Sequence, residues 1–187
     1  AVTEPFENAG VKARWQQADP TVPDFDSIAL RDVRFDYHDR NGMRLFGIAV
    51  DSFELRKGEL VFIRGGNGSG KSTFMKVLAG LYAPESGEMF LNNVMLSDVN
   101  MESYRNLFTI VPTDYHLFSR PLGLNITPAQ LTDVLRTLHM ETKVSLLEDG
   151  TFSTLDLSAG QRKRLALACA LLEKRHIYLF DEVAADF

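Results

Sequence analysis

The hydrophobic positions change their spacing along the chain. From Ala29 onward, Leu30, Val33 and Phe35, then Leu45, Ile48, Val50 and Phe53, keep the short steps of half-buried strands on either side of the turn formers Asp39-Arg40-Asn41-Gly42. They predict two or three strands in a small antiparallel sheet. Leu60-Val61-Phe62-Ile63 is an unbroken apolar run and predicts a buried strand, after which Phe74, Val77, Leu78 and Leu81 recur at i, i+3, i+4 and i+7, the period of a helix. Past the turn Ala83-Pro84-Glu85-Ser86-Gly87, Met89-Phe90-Leu91 continues the sheet. Met101 to Leu107 suits a short helix, and Phe108-Thr109-Ile110-Val111 reads as a core strand whose end, at Pro112, opens onto a loop.

Two later helices announce their own starts. Thr127-Pro128-Ala129-Gln130 places Thr at the cap, Pro at the first position and Gln at the third, ahead of the stripe Leu131, Val134, Leu135 and Leu138. Ser158 and Gln161 obey the same capping rule, ahead of Leu165, Ala168, Cys169 and Leu172, with Arg162, Lys163 and Arg164 expected on the solvated face. The last apolar run, Ile177-Tyr178-Leu179-Phe180, is a buried strand that ends in Asp181-Glu182. Residues Ala1 to Ile28 carry Pro5, Pro20 and Pro23 without a sustained period and read as a linker, with room for a short helix between Phe6 and Gln17.

The chemistry sits where the pattern switches from strand to helix. Gly65-Gly66-Asn67-Gly68-Ser69-Gly70-Lys71-Ser72-Thr73 satisfies G-x-x-x-x-G-K-[ST], the loop that wraps a nucleotide's phosphates. Its glycines let backbone N–H groups turn inward, and the following helix aims its N-terminal dipole at the anion. Lys71 is then placed for the β- and γ-phosphates, Ser72 for Mg²⁺, and Thr73 for the α-phosphate. Asp181 and Glu182 close a core strand, the end at which open α/β sheets place ligand chemistry, so Asp181 is the expected partner for Mg²⁺. Tyr37 suits a half-buried strand aromatic and a ring that stacks on a base equally well.

Composition narrows the function classes. A content of 45% hydrophobic and 24% charged residues is that of a folded globular domain, and 187 residues can bury a full core. The net charge of −5 offers no general attraction to nucleic acid or anionic lipid, so phosphate binding must come from a local site. One cysteine, Cys169, excludes an internal disulfide framework and fits a reducing compartment, and the histidines show no metal-ligand spacing. The longest apolar run, Leu165 to Leu172, falls far short of the ~20 residues that a membrane helix needs, and the start carries no signal-peptide pattern.

Taken in order and spacing, the phosphate loop, Leu157-Ser158-Ala159-Gly160-Gln161 and Ile177 to Glu182 resemble the ATP-binding domain of ABC transporters over Ala29 to Phe187. The finer text, including Gly160-Gln161-Arg162-Lys163-Arg164-Leu165 and Asp181-Glu182-Val183-Ala184-Ala185-Asp186, is similar to the exporters of cyclic peptides and peptide siderophores that fuse permease and ATPase. The resemblance implies an α/β fold: a RecA-like P-loop NTPase core with an ABC-type antiparallel β subdomain and an α-helical signature subdomain. Residues 1–28 would be the linker from a preceding transmembrane domain, and 29–187 a nucleotide-binding domain that stops after the loop joining the two ATP sites.

It also implies roles and partners. Tyr37 would stack on adenine, Glu182 would be the general base for water, and Ser158, Ala159, Gly160 and Gln161 would serve in trans in a head-to-tail dimer with a second such domain. Asp186 would belong to the loop that links the two sites. ATP and Mg²⁺ are the expected ligands, and the permease, in the same polypeptide, the expected partner and the means of membrane attachment. No nucleic acid is expected. The location implied is the cytoplasmic face of the inner or plasma membrane. Three departures stand out: Thr113-Asp114 replaces the usual Gln that senses the γ-phosphate, Ala159 replaces a common Gly, and the switch His would lie beyond Phe187. The chain as given is therefore expected to bind Mg-ATP and to hydrolyse it poorly. The alternatives are a free-standing ATPase subunit of an importer, a regulatory ATP-binding module that does not hydrolyse, and an ABC-type ATPase of DNA repair. The last would place a coiled-coil block between Lys71 and Ser158, where no heptads occur.

Overall fold

The computed structural model describes residues 24–182, so the linker reading of the first residues and the assignment of Asp186 fall largely or wholly outside the described residues. The chain divides into two compact units, one ending at Leu107 and one beginning at Phe108.

The first unit is built on a four-stranded antiparallel sheet in the order β2-β1-β3-β4, from β1 (Ser27–His38), β2 (Arg44–Arg56), β3 (Ser86–Leu91) and β4 (Val94–Met95). The hairpin between β1 and β2 forms at the predicted turn, where the Asp39 carboxylate accepts from the amides of Asn41 and Met43 at 2.8 Å each. Ile28, Leu30 and Val33 of β1 are fully buried. The three-residue step from Leu30 to Val33 does not fit a period of two, and the fold absorbs it in a register shift against β3 between Arg31 and Arg34, with Asp32 at φ 50. Gly87 on β3 makes room for that shift, since a Cβ there would meet the Asp32 carbonyl oxygen at 2.4 Å.

Helix α1 (Lys71–Leu78) follows the phosphate loop. It buries Thr73, Met75, Val77 and Leu78 and stops at Ala79, with Gly80 at φ 67. Leu81 therefore lies past the helix and is exposed, while Phe74 is half-buried edge-to-face on Phe53 at 5.0 Å. Met75, not Leu81, completes the buried stripe. The short helix α2 (Met101–Arg105) is capped by Asn100, and its Tyr104, fully buried, donates to the Leu78 carbonyl at 2.6 Å. That bond satisfies a carbonyl at the end of α1, and burial pushes the Tyr104 hydroxyl pKa upward.

One expected strand is not formed. Residues 60–63 adopt no strand, and Leu60 and Phe62 are 81% and 74% exposed. A strand exists only as a hydrogen-bonded pair, and none of the paired strands among the described residues takes residues 60–63 as its neighbour, so apolar composition alone does not fold them into a sheet.

The second unit contains a parallel pair, β5 (Phe108–Val111) and β6 (Ile177–Phe180), with helices α3 (Pro128–Thr137) and α4 (Ala159–Leu172). Both predicted capping boxes are present: Thr127 with Gln130, and Ser158 with Gln161. The core gathers Leu131 and Leu135 of α3 with Leu165, Ala168 and Leu172 of α4, closed by Leu117, Met140, Val144 and Phe152 from the connecting segments. Cys169 packs beside this core, as its place on the stripe predicts. Burial and the Glu173 charge push its thiol up to about 11.

Candidate functional site

Within the first unit, the phosphate loop turns directly into α1. The Ser69 amide donates to the Gly66 carbonyl at 3.2 Å, and the Phe74 amide to that of Gly70 at 2.8 Å, which starts the helix. Gly70 is the cap residue at φ 93, a conformation that costs an L side chain. A Cβ there would also lie 2.4 Å from Ile48 Cγ2 and 3.3 Å from Phe46 Cζ. The loop thus rests against β2, and only glycine allows that approach. Lys71 curls back over the loop, its Nζ donating to the carbonyls of Gly65 and Gly66 at 2.9 Å each. The ammonium therefore stands at the mouth of the loop, where a phosphate's negative charge would draw it away from those carbonyls. Ser72 is exposed in the first turn of α1, while Thr73 is buried.

Tyr37 belongs to an aromatic cluster. Its ring meets Phe35 edge-on at 4.9 Å and Tyr82 edge-on at 5.8 Å, and lies nearly parallel to Phe46 at 6.3 Å. Tyr37 is half-buried, and Phe46 is the ring that also approaches Gly70. The strand hairpin therefore sets an aromatic surface beside the phosphate loop. Partial burial and a hydrogen bond with Tyr37 raise the pKa of Tyr82. Neither Phe46 nor Tyr82 was legible as a site residue from spacing alone. Phe46 pairs across the strands with Tyr37, and the turn at Asp39 was the signal that could have found it.

Within the second unit, β5 and β6 run parallel in the register Phe108 to Ile177 and Val111 to Phe180, and the ladder ends where the Asp181 amide donates to the Val111 carbonyl at 3.0 Å. Their C-terminal ends share one edge. That edge brings together Asp181, which is buried, Glu182, which is exposed, and the exposed pair Thr113 and Asp114 after Pro112. Asp114 also borders a cleft of ≈ 400 Å³ that reaches Cys169 and Glu173 of the same unit. The signature residue Ser158 caps α4, its hydroxyl accepting from the Gln161 amide at 3.3 Å, while the Gln161 side chain accepts from the Ser158 amide at 2.9 Å. Ser158 and Ala159 remain exposed, and Gly160 and Gln161 half-exposed, at this helix start.

One residue departs from its predicted place. Lys163 is 7% exposed and donates its Nζ to the Glu182 carbonyl oxygen, whereas a run of three basic residues predicts a solvated face. The reason is in the spacing. Ala166, Leu167 and Ala170 stand three, four and seven residues beyond Lys163, so α4 carries a second apolar face whose small residues leave room for a long side chain.

The donor types present fit a magnesium ion. The Ser72 hydroxyl in the first unit and the Asp181 carboxylate in the second are each of the hard oxygen type that this ion takes. Among the described residues no group of three or more His, Cys, Asp or Glu could hold a metal by itself. No described helix is long and apolar enough to cross a membrane.

Among known proteins, SyrD of Pseudomonas syringae pv. syringae, an ATP-binding protein, is 44% identical over 164 residues, 86% of this chain and 29% of its own length. The glutathione/L-cysteine transport system ATP-binding/permease protein CydC of Escherichia coli strain K12 is 34% identical over 86% of this chain and 29% of its length. The chain thus spans less than a third of these relatives. A solved bacterial Atm1-family ABC exporter with ATP bound matches with a TM-score of 0.69 and 28% identity, over 88% of this chain and 30% of that one. The fold is that of an ABC ATPase domain. A family model described as ABC transporter matches residues 49–185, and on that match this chain belongs to the ABC transporter family.

Proposed function

We propose that this chain is the motor domain of an ABC exporter, which binds Mg-ATP, closes head-to-tail on a second such domain and couples hydrolysis to movement of a substrate across a membrane. The observation that carries this reading is the phosphate loop: glycine-built, opening α1, with the Lys71 ammonium across its mouth and the Tyr37 cluster beside it. The match to CydC, named an ATP-binding/permease protein, supports a permease in the same polypeptide, and the similarity of Gly160 to Leu165 to the peptide exporters supports a peptide-like substrate. The domain would then act at the cytoplasmic face of the membrane that holds the permease.

The chain's residues divide the chemistry. Loop amides from Gly66 to Lys71 and the α1 dipole hold the β- and γ-phosphates, and Lys71 neutralises charge on the γ-phosphoryl oxygens as it develops. Tyr37 stacks on the adenine. Ser72 and Asp181 would hold Mg²⁺, which supplies charge stabilisation on the β- and γ-oxygens when bound. Glu182 accepts a proton from the attacking water as its oxygen bonds to the γ-phosphorus and the bond to the β-γ bridging oxygen breaks, leaving ADP and phosphate. Ser158 and the helix start at Gly160, reaching across from the second domain, would contact the same γ-phosphate. Thr113 and Asp114 would take the place of the Gln that senses that phosphate in the family.

The test is Glu182→Gln in the full polypeptide. ATP should still bind, hydrolysis should stop, and an ATP-bound dimer should persist on size-exclusion chromatography. Continued rapid turnover would assign the base to another group.

A further inference from the structure

We infer that Lys163 is the positioning residue for the general base: a buried ammonium on α4 holds the backbone of Glu182 so that its carboxylate meets the attacking water. The inference rests on the reading of Glu182 as base and adds a residue to that machinery.

Three observations converge. Glu182 sits at φ 53, a left-handed conformation that side chains other than glycine adopt rarely and keep only when their surroundings impose it. Among the described residues the last bond of the β-ladder is made by the Asp181 amide, one residue before Glu182. Lys163 supplies a hold on Glu182 itself: its Nζ reaches the Glu182 carbonyl oxygen, nineteen residues along the chain, from a side chain that is 7% exposed.

The chemistry of the contact suits fixation. A desolvated ammonium must have its donors occupied, so the bond is costly to break, and a charge-assisted bond to a carbonyl is stronger than a neutral one. Fixing that carbonyl fixes the peptide plane after Glu182 and, with φ already set, the direction of its side chain. Glu182 itself stays exposed. Lys163 is placed to act on the reaction through Glu182, as a positioning residue. Because Lys163 lies on α4 about 7.5 Å along its axis from the Ser158 cap, the base is referenced to the helix whose start is proposed to meet a partner domain.

The test compares Lys163→Met, Lys163→Arg and Glu182→Gln in the full polypeptide, with steady-state ATP hydrolysis, ATP binding by calorimetry and circular dichroism. Lys163→Met should lower kcat by about 10-fold to 100-fold while the KM and the calorimetric affinity for Mg-ATP stay within about 2-fold, and Lys163→Arg, which keeps charge and donors, should recover most of the loss. An unchanged kcat in Lys163→Met overturns the inference. So does a parallel loss of kcat and ATP affinity, which marks a general structural role, or an Arg variant that folds and is as slow as Met. If Lys163→Met loses its circular dichroism signal, Lys163→Gln takes its place under the same readings. Glu182→Gln separates the two claims: if it hydrolyses ATP rapidly the base assignment fails, and if it is inactive while Lys163→Met is unimpaired only the positioning role fails.

Discussion

Alanine placed in turn at Gly66, Gly68 and Gly70 should produce three different effects on stability within one five-residue stretch. At Gly66 a methyl group would find no atom within 4 Å, and φ lies outside the left-handed range, so Gly66→Ala should be neutral or stabilising by up to about 1 kcal/mol, through the unfolded chain. Gly68 is equally open but sits at φ 74, and an L side chain there costs about 1–2 kcal/mol. Gly70 combines φ 93 with a Cβ 2.4 Å from Ile48 Cγ2, where carbon atoms need roughly 3.5–4.0 Å. That methyl is carried on the branched Cβ of Ile48, so relief needs either a disfavoured χ1 rotamer or a shift of the strand. Adding about 1–3 kcal/mol of overpacking to the backbone term gives about 2–5 kcal/mol for Gly70→Ala. In urea, with a slope of about 2 kcal/mol per M, the midpoint should fall by about 1–2.5 M for Gly70→Ala and about 0.5–1 M for Gly68→Ala, and should not fall for Gly66→Ala. The assay is equilibrium unfolding followed by circular dichroism. If the Gly70 and Gly66 variants unfold at the same urea concentration, the packing of the loop on β2 is wrong.

Other expectations follow from the aromatic cluster and the cysteine. Tyr37→Ala should weaken ATP binding by about 1–3 kcal/mol, the worth of one base on one ring, while Tyr37→Phe should stay near the parent; an Ala variant with parent affinity would leave Tyr37 as hairpin packing only. Cys169, raised from 9.0 to about 11, should resist alkylation at pH 8 in the folded protein and react once urea unfolds it; equal rates in both states would contradict its burial. The same shift has a stability consequence. The folded state keeps the thiol proton more tightly, so this contribution is complete below pH 9 and is lost as pH rises from 9 towards 11.

What the sequence revealed depended on how local the determining physics was. The caps at Thr127 and Ser158 are written in four consecutive residues each, and both boxes form as predicted. The phosphate loop is likewise local, and Gly68 and Gly70 stand where its backbone takes a positive φ. The bulge in β1 is not local. The odd step from Leu30 to Val33 hints at it, but its position is settled by Gly87 on a strand more than fifty residues away. Residues 60–63 fail as a strand for the same reason, since pairing belongs to two segments and composition to one. Lys163 is disguised by its charge: neighbours Arg162 and Arg164 suggest a solvated stripe, while the small residues that admit it to the interior are three to seven positions on. The edge shared by Asp181, Glu182, Thr113 and Asp114 became visible only once β5 and β6 were known to be parallel neighbours.

The central claim, that residues 65–73 cradle the phosphates of ATP, is tested most directly by calorimetric titration of Mg-ATP into the parent protein and into Lys71→Ala. The Lys71 ammonium bonds to two carbonyls of its own loop, so its removal should leave the circular dichroism spectrum intact. The account predicts saturable binding in the parent and none detectable in the variant. Equal affinity in the two proteins would contradict it.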